Sequence, residues 1–236
     1  MDASGYVTLS RQSGLLHQMD VIANNIANES TTGFRREGTV FSEWVARSEG
    51  GPSLSMGFGN ARVVDLSQAG MSMTGGNTDF AIEGDGFFLI DTPQGQQLTR
   101  AGNFSPSADG TLVTAEGYQV LDAGGSSIFI PPDAKAVAVA QDGTLSVQGK
   151  ALAQIGLWAP TDPLSLQHVS GTRFSAASVQ PASGGKVMQG FLEDSNVNPV
   201  TEIASMIYVQ RAYEMGQSFL DQEDERSRNV IQTLGR

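Results

Sequence analysis

The chain is poor in side chains that perform chemistry. It has no cysteine, which removes thiolate catalysis and Cys-type zinc sites, and its two histidines, His17 and His168, lie in unlike segments that give a transition-metal site no support. His17 falls in a helical stretch and His168 in a Pro- and Ser-flanked loop, and no elbow sequence frames a serine for His-assisted attack. Gly84-Asp85-Gly86 and Gly57-Phe58-Gly59 share the spacing of phosphate loops. Neither has a third glycine, a Gly-Lys-Ser/Thr ending or a following helix, so both read as turns. The 25 carboxylates cannot be paired from sequence, which leaves glycan hydrolysis without support. The expectation is therefore no catalytic residue, no metal and no cofactor. One run is different: Ala23-Asn24-Asn25-Ile26-Ala27-Asn28-Glu29-Ser30-Thr31-Thr32-Gly33-Phe34. Three asparagines cost helix propensity, but buried amides can fix the register of packed helices. The plainer alternative is a frayed helix end.

Two terminal helices must position that run. Leu9, Leu16, Met19, Ala23 and Ile26 recur on steps of three and four, interrupted by Gln12. Met206, Val209, Tyr213, Leu220, Val230 and Leu234 follow the same ladder, interrupted by Gly216, Glu223 and Ser227. The spacing predicts a helix over about 5–28, roughly 36 Å long, with Leu15 and Ile22 widening its stripe. A second helix is expected from Asn198, a good cap, and Pro199, a good first residue, to about Thr233, with Gly235 ending it. Neither stripe has a partner nearby in sequence, so the helices are expected to pack with each other and with neighbouring subunits. Their ends are expected to be poorly ordered in a lone chain, because ordering a residue costs about 1–2 kcal/mol.

Between the helices the pattern is β. Residues 35–75 read as a linker or extended segment, in which Phe41, Trp44 and Val45 suggest a short helix and Gly50-Gly51-Pro52-Ser53 a loop. Residues 76–195 hold short β-favouring runs, from Ile82–Asp91 to Val187–Glu193, separated by turns. One turn occurs twice, as Ala108-Asp109-Gly110-Thr111-Leu112 and Gln141-Asp142-Gly143-Thr144-Leu145. The fold class is thus mixed: long N- and C-terminal α-helices, a coiled-coil-like assembly domain, flanking a central all-β body. The expected divisions are 1–34, 35–75, 76–195 and 196–236.

Composition narrows the partners. A net charge of −11 and a pI near 4.5 argue against binding nucleic acid by phosphate neutralisation. The mixed charges of Asp221–Arg228 read as a solvated helix face. No apolar run approaches the ~20 residues that span a bilayer. The amino terminus lacks a basic cluster followed by an apolar block, so if the protein is exported, a route that cleaves no classical signal peptide is expected.

The asparagine run closely resembles the signature of the bacterial flagellar axial proteins, the rod, hook and hook-junction subunits. Ile82-Glu83-Gly84-Asp85-Gly86-Phe87-Phe88, then Thr99-Arg100-Ala101-Gly102-Asn103-Phe104, look like the opening of that family's β body. Phe191-Leu192-Glu193-Asp194-Ser195-Asn196-Val197-Asn198-Pro199-Val200, with Met206-Ile207 and Gln210-Arg211-Ala212-Tyr213-Glu214, look like the start of its carboxyl helix. The matches lie in family order and span nearly the whole chain. Within the family the chain is most similar to the proximal-rod type, with the distal rod as the alternative. The resemblance implies a structural subunit exported by the flagellar type III apparatus. It would polymerise helically with copies of itself and other rod subunits across the periplasm, transmitting torque.

The residues expected to carry assembly are Leu9, Leu16, Met19, Ile26, Met206, Val209, Tyr213 and Leu220 for packing. Asn24, Asn25 and Asn28 are expected to set register, and Gly33 with Phe34 to turn the chain onto the β body. From another class, a secreted β-domain enzyme acting on cell-wall glycan would need a catalytic set that cannot be identified here.

Overall fold

In the computed structural model, residues 3–46, 54–131, 134 and 137–234 are described. The chain forms two compact units, one of Met1–Ala27, Glu37–Val63 and Asn198–Arg236, the other of Asn28–Arg36 and Val64–Val197.

The first unit contains helix α1 (Ala3–Ala27) and helix α2 (Pro199–Leu234). Asn198 caps α2 as its type suggests: its Oδ1 accepts from Val200 N at 3.1 Å and Thr201 N at 3.2 Å. Glu202 places an acid in the first turn, where the helix dipole favours it. α2 continues to Leu234, and the expected stop at Gly235 lies outside the described residues. Strands Glu37–Ala46 and Leu54–Val64 pair in a two-stranded sheet. The short helix expected around Phe41, Trp44 and Val45 is therefore a strand. A stretch rich in Thr, Val, Phe and Trp favours a pleated backbone over a helix of a few residues. Gly57-Phe58-Gly59 continues the second strand, and Gly50-Gly51-Pro52-Ser53 lies outside the described residues.

The second unit is the β body. Its largest sheet runs Gln167–Ser170, Arg173–Ser175, Gly95–Thr99, Phe87–Thr92, Gln119–Val120, Leu112–Val113, Ser105–Pro106, with neighbouring strands paired. Leu157–Pro160 joins it against Phe87–Thr92 and pairs in turn with Val179–Pro181. Phe80–Glu83 pairs with Lys186–Gln189, and Met71–Met73 with Phe191–Glu193. Val137–Val139, Thr144–Val147 and Lys150–Gln154 make a three-stranded sheet.

The uninterrupted apolar run Phe87-Phe88-Leu89-Ile90 is explained by burial on both faces. Phe88 and Ile90 enter one core with Phe80, Phe104, Leu112 and Leu145. Phe87 and Leu89 enter another with Leu98, Leu166 and Phe174. The two Asp-Gly turns share one bonding pattern. Ser107 N donates to Thr111 O and Ile130 N to Gly110 O; Ala140 N donates to Thr144 O and Ile155 N to Gly143 O.

Candidate assembly surface

Within the first unit the two helices run antiparallel. Asn25 Nδ2 reaches Glu202 Oε2 at 3.1 Å, while ten residues or more earlier Gln12 Nε2 reaches Gln217 Oε1 at 3.3 Å. Between these contacts Leu15, Ile22, Val209 and Ala212 are buried, with Met19, Ile26, Met206 and Tyr213 packed against them. Burying a side chain of this size contributes about 1.5–3 kcal/mol. The packing of the two helices with each other, expected from the sequence, occurs within one chain: part of each stripe is sealed in a shared seam.

The seam also separates the sequence candidates. Met19, Ile26, Met206, Val209 and Tyr213 belong to it. Leu9 and Leu16 do not, being 47% and 46% exposed. At ~100° per residue they stand roughly 120° round α1 from the line through Leu15 and Ile22. Leu220 is half-buried. Exposed apolar side chains continue along α2: Val200, Ile203, Ile207 and Tyr208 near its start, Met215 and Phe219 in its middle, and Val230, Ile231 and Leu234 near its end. A groove of about 390 Å³ opens beside the seam, lined by Val7, Leu15, Met215, Gly216 and Phe219 among others. Gly216 leaves room for Gln12, whose amide would lie 3.3 Å from a Cβ there.

Of the asparagines, Asn25 is buried and its amide is used inside the chain. Nδ2 donates to Glu37 O at 2.8 Å as well as to Glu202, and Oδ1 accepts from Glu37 N at 2.9 Å. The register role expected of Asn25 between chains is thus a role within one: it ties α1 to the start of α2 and to strand Glu37–Ala46. Asn24 Nδ2 reaches Glu37 Oε2 at 3.5 Å, and Arg62 pairs with the same oxygen at 3.4 Å. Glu37 and Glu202 were not candidates, although Glu202 sits one helical repeat before Val209 on the seam face.

In the β body, Asn28 O accepts from Thr31 N, and Gly33 takes φ 71°. A Cβ at Gly33 would stand 2.3 Å from Ala101 N, so both the backbone angle and the space require glycine. Gly33 N donates to Glu193 O at 2.7 Å. Phe34 is fully buried, its ring edge-on to His168 at 5.7 Å, and His168 meets Phe174 at 5.4 Å. His168 is therefore packed between phenyl rings, and its Nε2 faces Gly171 O at 2.5 Å.

Next to this turn lies a cluster that sequence reasoning missed. Glu193 is clamped by Arg35 Nη2 at 2.8 Å and Arg100 Nη1 at 3.0 Å, all three side chains being buried. Arg35 Nη1 also donates to Ser67 O, and Arg100 to Ile82 O and Gly84 O. Burial pushes the Arg100 guanidinium down to about 10, Glu193 acting against that shift and Arg35 adding to it. The signal was available, since each member sits in or beside a family-like motif: Gly33-Phe34-Arg35, Thr99-Arg100-Ala101 and Leu192-Glu193-Asp194. Nearby Asn196 receives Arg36 N at 2.6 Å and donates to Asp65 O and Ser67 O. Burial works to raise the Asp65 pKa, but bonds from Ser67 and the charges of Arg36 and Arg35 hold it below its ordinary value.

Among the described residues no three His, Cys, Asp or Glu side chains gather as metal ligands, and no helix is long and apolar enough to cross a membrane. What the arrangement presents is packing: a closed helix seam, apolar side chains left outside it, and a body whose chain entry and exit are tied together.

Three family models match the chain. They are the flagella basal body rod protein over residues 6–35, the flagellar hook protein FlgE/F/G D1 domain over 81–147, and the flagellar basal body rod FlgEFG protein C-terminal region over 188–233. Among curated proteins, the chain is 37% identical to the flagellar basal-body rod protein FlgF of Caulobacter vibrioides, covering 100% of this chain and 99% of that one. It is 37% identical to FlgF of Mesorhizobium japonicum at the same coverage. It is 33% identical to the flagellar basal-body rod protein FlgG of Bacillus subtilis, over 96% of this chain and 97% of the relative.

Proposed function

Since this chain belongs to the flagellar basal-body rod protein family, as a structural subunit of the rod, we propose that it is the proximal-rod member, built into the rod by contacts along its terminal helices. Full-length similarity to two proteins named FlgF, at higher identity than to those named FlgG, supports the proximal position. Copies of itself and other rod subunits are its partners, and it transmits torque across the periplasm as part of a helical polymer. It reaches that site through the flagellar export apparatus. No catalysis is assigned to it.

The observation that carries the mechanism is the unequal length of the two helices. α1 has 25 residues and α2 has 36. Carrying the Asn25–Glu202 and Gln12–Gln217 register back along α1 sets Ala3 opposite about residue 225 of α2. The last turns of α2, with Val230, Ile231 and the 83% exposed Leu234, extend past that point. An apolar end that overshoots, and a second apolar group around Val200, Ile203 and Ile207, suit a head-to-tail contact between copies. A heterologous contact whose rotation leaves it open propagates as a filament, as a rod requires.

Replacing Ile231 and Leu234 together with Asp tests this. The isolated variant should keep wild-type circular dichroism and fail to enter purified basal bodies. Incorporation at the wild-type level would overturn the proposed contact. A tag on the subunit, imaged in basal bodies, separates the proximal from the distal position.

A further inference from the structure

Arg35, Arg100 and Glu193 come from three separate stretches, Arg35 and Glu193 being 158 positions apart. Two cations face one anion, with side-chain exposures of 1%, 3% and 0%, and the Nε atoms of both arginines have no hydrogen-bond partner. Such a cluster holds a fold together no better than apolar side chains of equal volume would, whereas removing one member is strongly disruptive. Its distinguishing property is order. Without the Glu193 carboxylate, seating Arg35 beside Arg100 would set two guanidinium groups against each other in a dry site.

We propose that Glu193 is a latch for the turn at residues 28–36: the central sheet of the body forms first, strand Phe191–Glu193 delivers the carboxylate, and only then does the turn seat. The turn's own amides lead to the same segment: Gly33 N donates to Glu193 O and Arg36 N to Asn196 Oδ1, beside the bonds from Asp65 N to Arg36 O and from Arg35 Nη1 to Ser67 O. Ala69 N donates to Glu193 Oε1 as well, which lets one side chain fasten the turn and the segment beyond it together. Arg100, fixed by Ile82 O and Gly84 O, belongs to the part already formed. This latch concerns how the body closes and stands whether or not the rod position proposed above is right.

Pulse-labelled hydrogen exchange during refolding of the full chain tests it. The amides of Gly33 and Arg36 should gain protection after those of Leu89 and Leu98 and no earlier than that of Asp194, which donates to Gly70 O at the end of strand Phe191–Glu193. Protection of Gly33 and Arg36 as early as that of the sheet would overturn the latch. At equilibrium, Glu193→Gln should speed tryptic cleavage after Arg35 or Arg36 by about a hundredfold, with exchange in residues 87–99 unchanged. Cleavage at the wild-type rate, or a loss of protection that spreads equally to 87–99, would count against it.

Discussion

Replacing Asn25 by Ala removes one small amide and should open the helix pair. The amide makes three bonds: to Glu37 O at 2.8 Å, from Glu37 N at 2.9 Å, and to the Glu202 carboxylate at 3.1 Å. Two neutral bonds at about 1 kcal/mol each and one to a charged group at about 1.5–3 kcal/mol sum to roughly 4 kcal/mol, because the partners stay buried when the amide goes. At ~1.4 kcal/mol per decade the opened state of this unit should rise between a hundredfold and a thousandfold. Hydrogen exchange with mass spectrometry reads this directly: peptides covering 19–27 and 200–213 should exchange faster, while peptides from 87–99 should not. Asn25→Asp is the sharper variant. It keeps an acceptor for Glu37 N but sets a second carboxylate against that of Glu202 and against the Glu37 carbonyl, so it should be worse than Ala. A less than tenfold change in Asn25→Ala, or a milder effect in Asn25→Asp, would refute the idea that the amide acts as a donor joining three segments.

Other outcomes follow from the same geometry. Leu16→Asp, on the exposed face of α1, should leave the monomer's melting temperature within a degree or two while blocking incorporation into basal bodies; Ile22→Asp, inside the seam, should cost about 3 kcal/mol or more of helix-pair stability in urea. Ile26→Asp should likewise abolish rod assembly with the β body still folded, checked by motility and by the thermal melt of the body. Gly33→Ala should destabilise the body by several kcal/mol, because it combines positive φ with a Cβ overlapping Ala101, and a calorimetric scan would show it. Asp142 Oδ1 and Oδ2 accept from the backbone and hydroxyl of Thr144, which lowers its pKa below 3.8. Its contribution to stability is thus present above pH 3.8 and lost as pH falls through the lower folded value, so Asp142→Asn should flatten the stability curve over that acid range.

Much of the architecture was legible because it rests on local pattern. The steps of three and four mark both helices, Asn198-Pro199 marks the start of α2, and the twin Asp-Gly turns occur where the body folds back. The choice between parallel stripes was not legible. Leu9-Leu16 and Leu15-Ile22 are equally apolar lines one residue apart, and only the partner helix decides which is covered. The strand at Glu37–Ala46 was misjudged because a short apolar run carries too little periodicity to tell strand from helix. The Arg35–Glu193–Arg100 cluster was missed for a different reason. Charged residues are expected at the surface, and although each member sits in or beside a motif, no motif by itself says that the three converge across the chain.

Inside the β body the strand running into Glu193 lies beside the turn at Gly33–Arg36, so the polypeptide departs from the body where it arrived. Everything from Asp65 to Asp194 is in that sense a cassette with a common doorway. Loops within it can lengthen, shorten or be exchanged without altering the spacing of the two flanking segments at that doorway. The body can therefore be remodelled while the ends of the chain stay as they are.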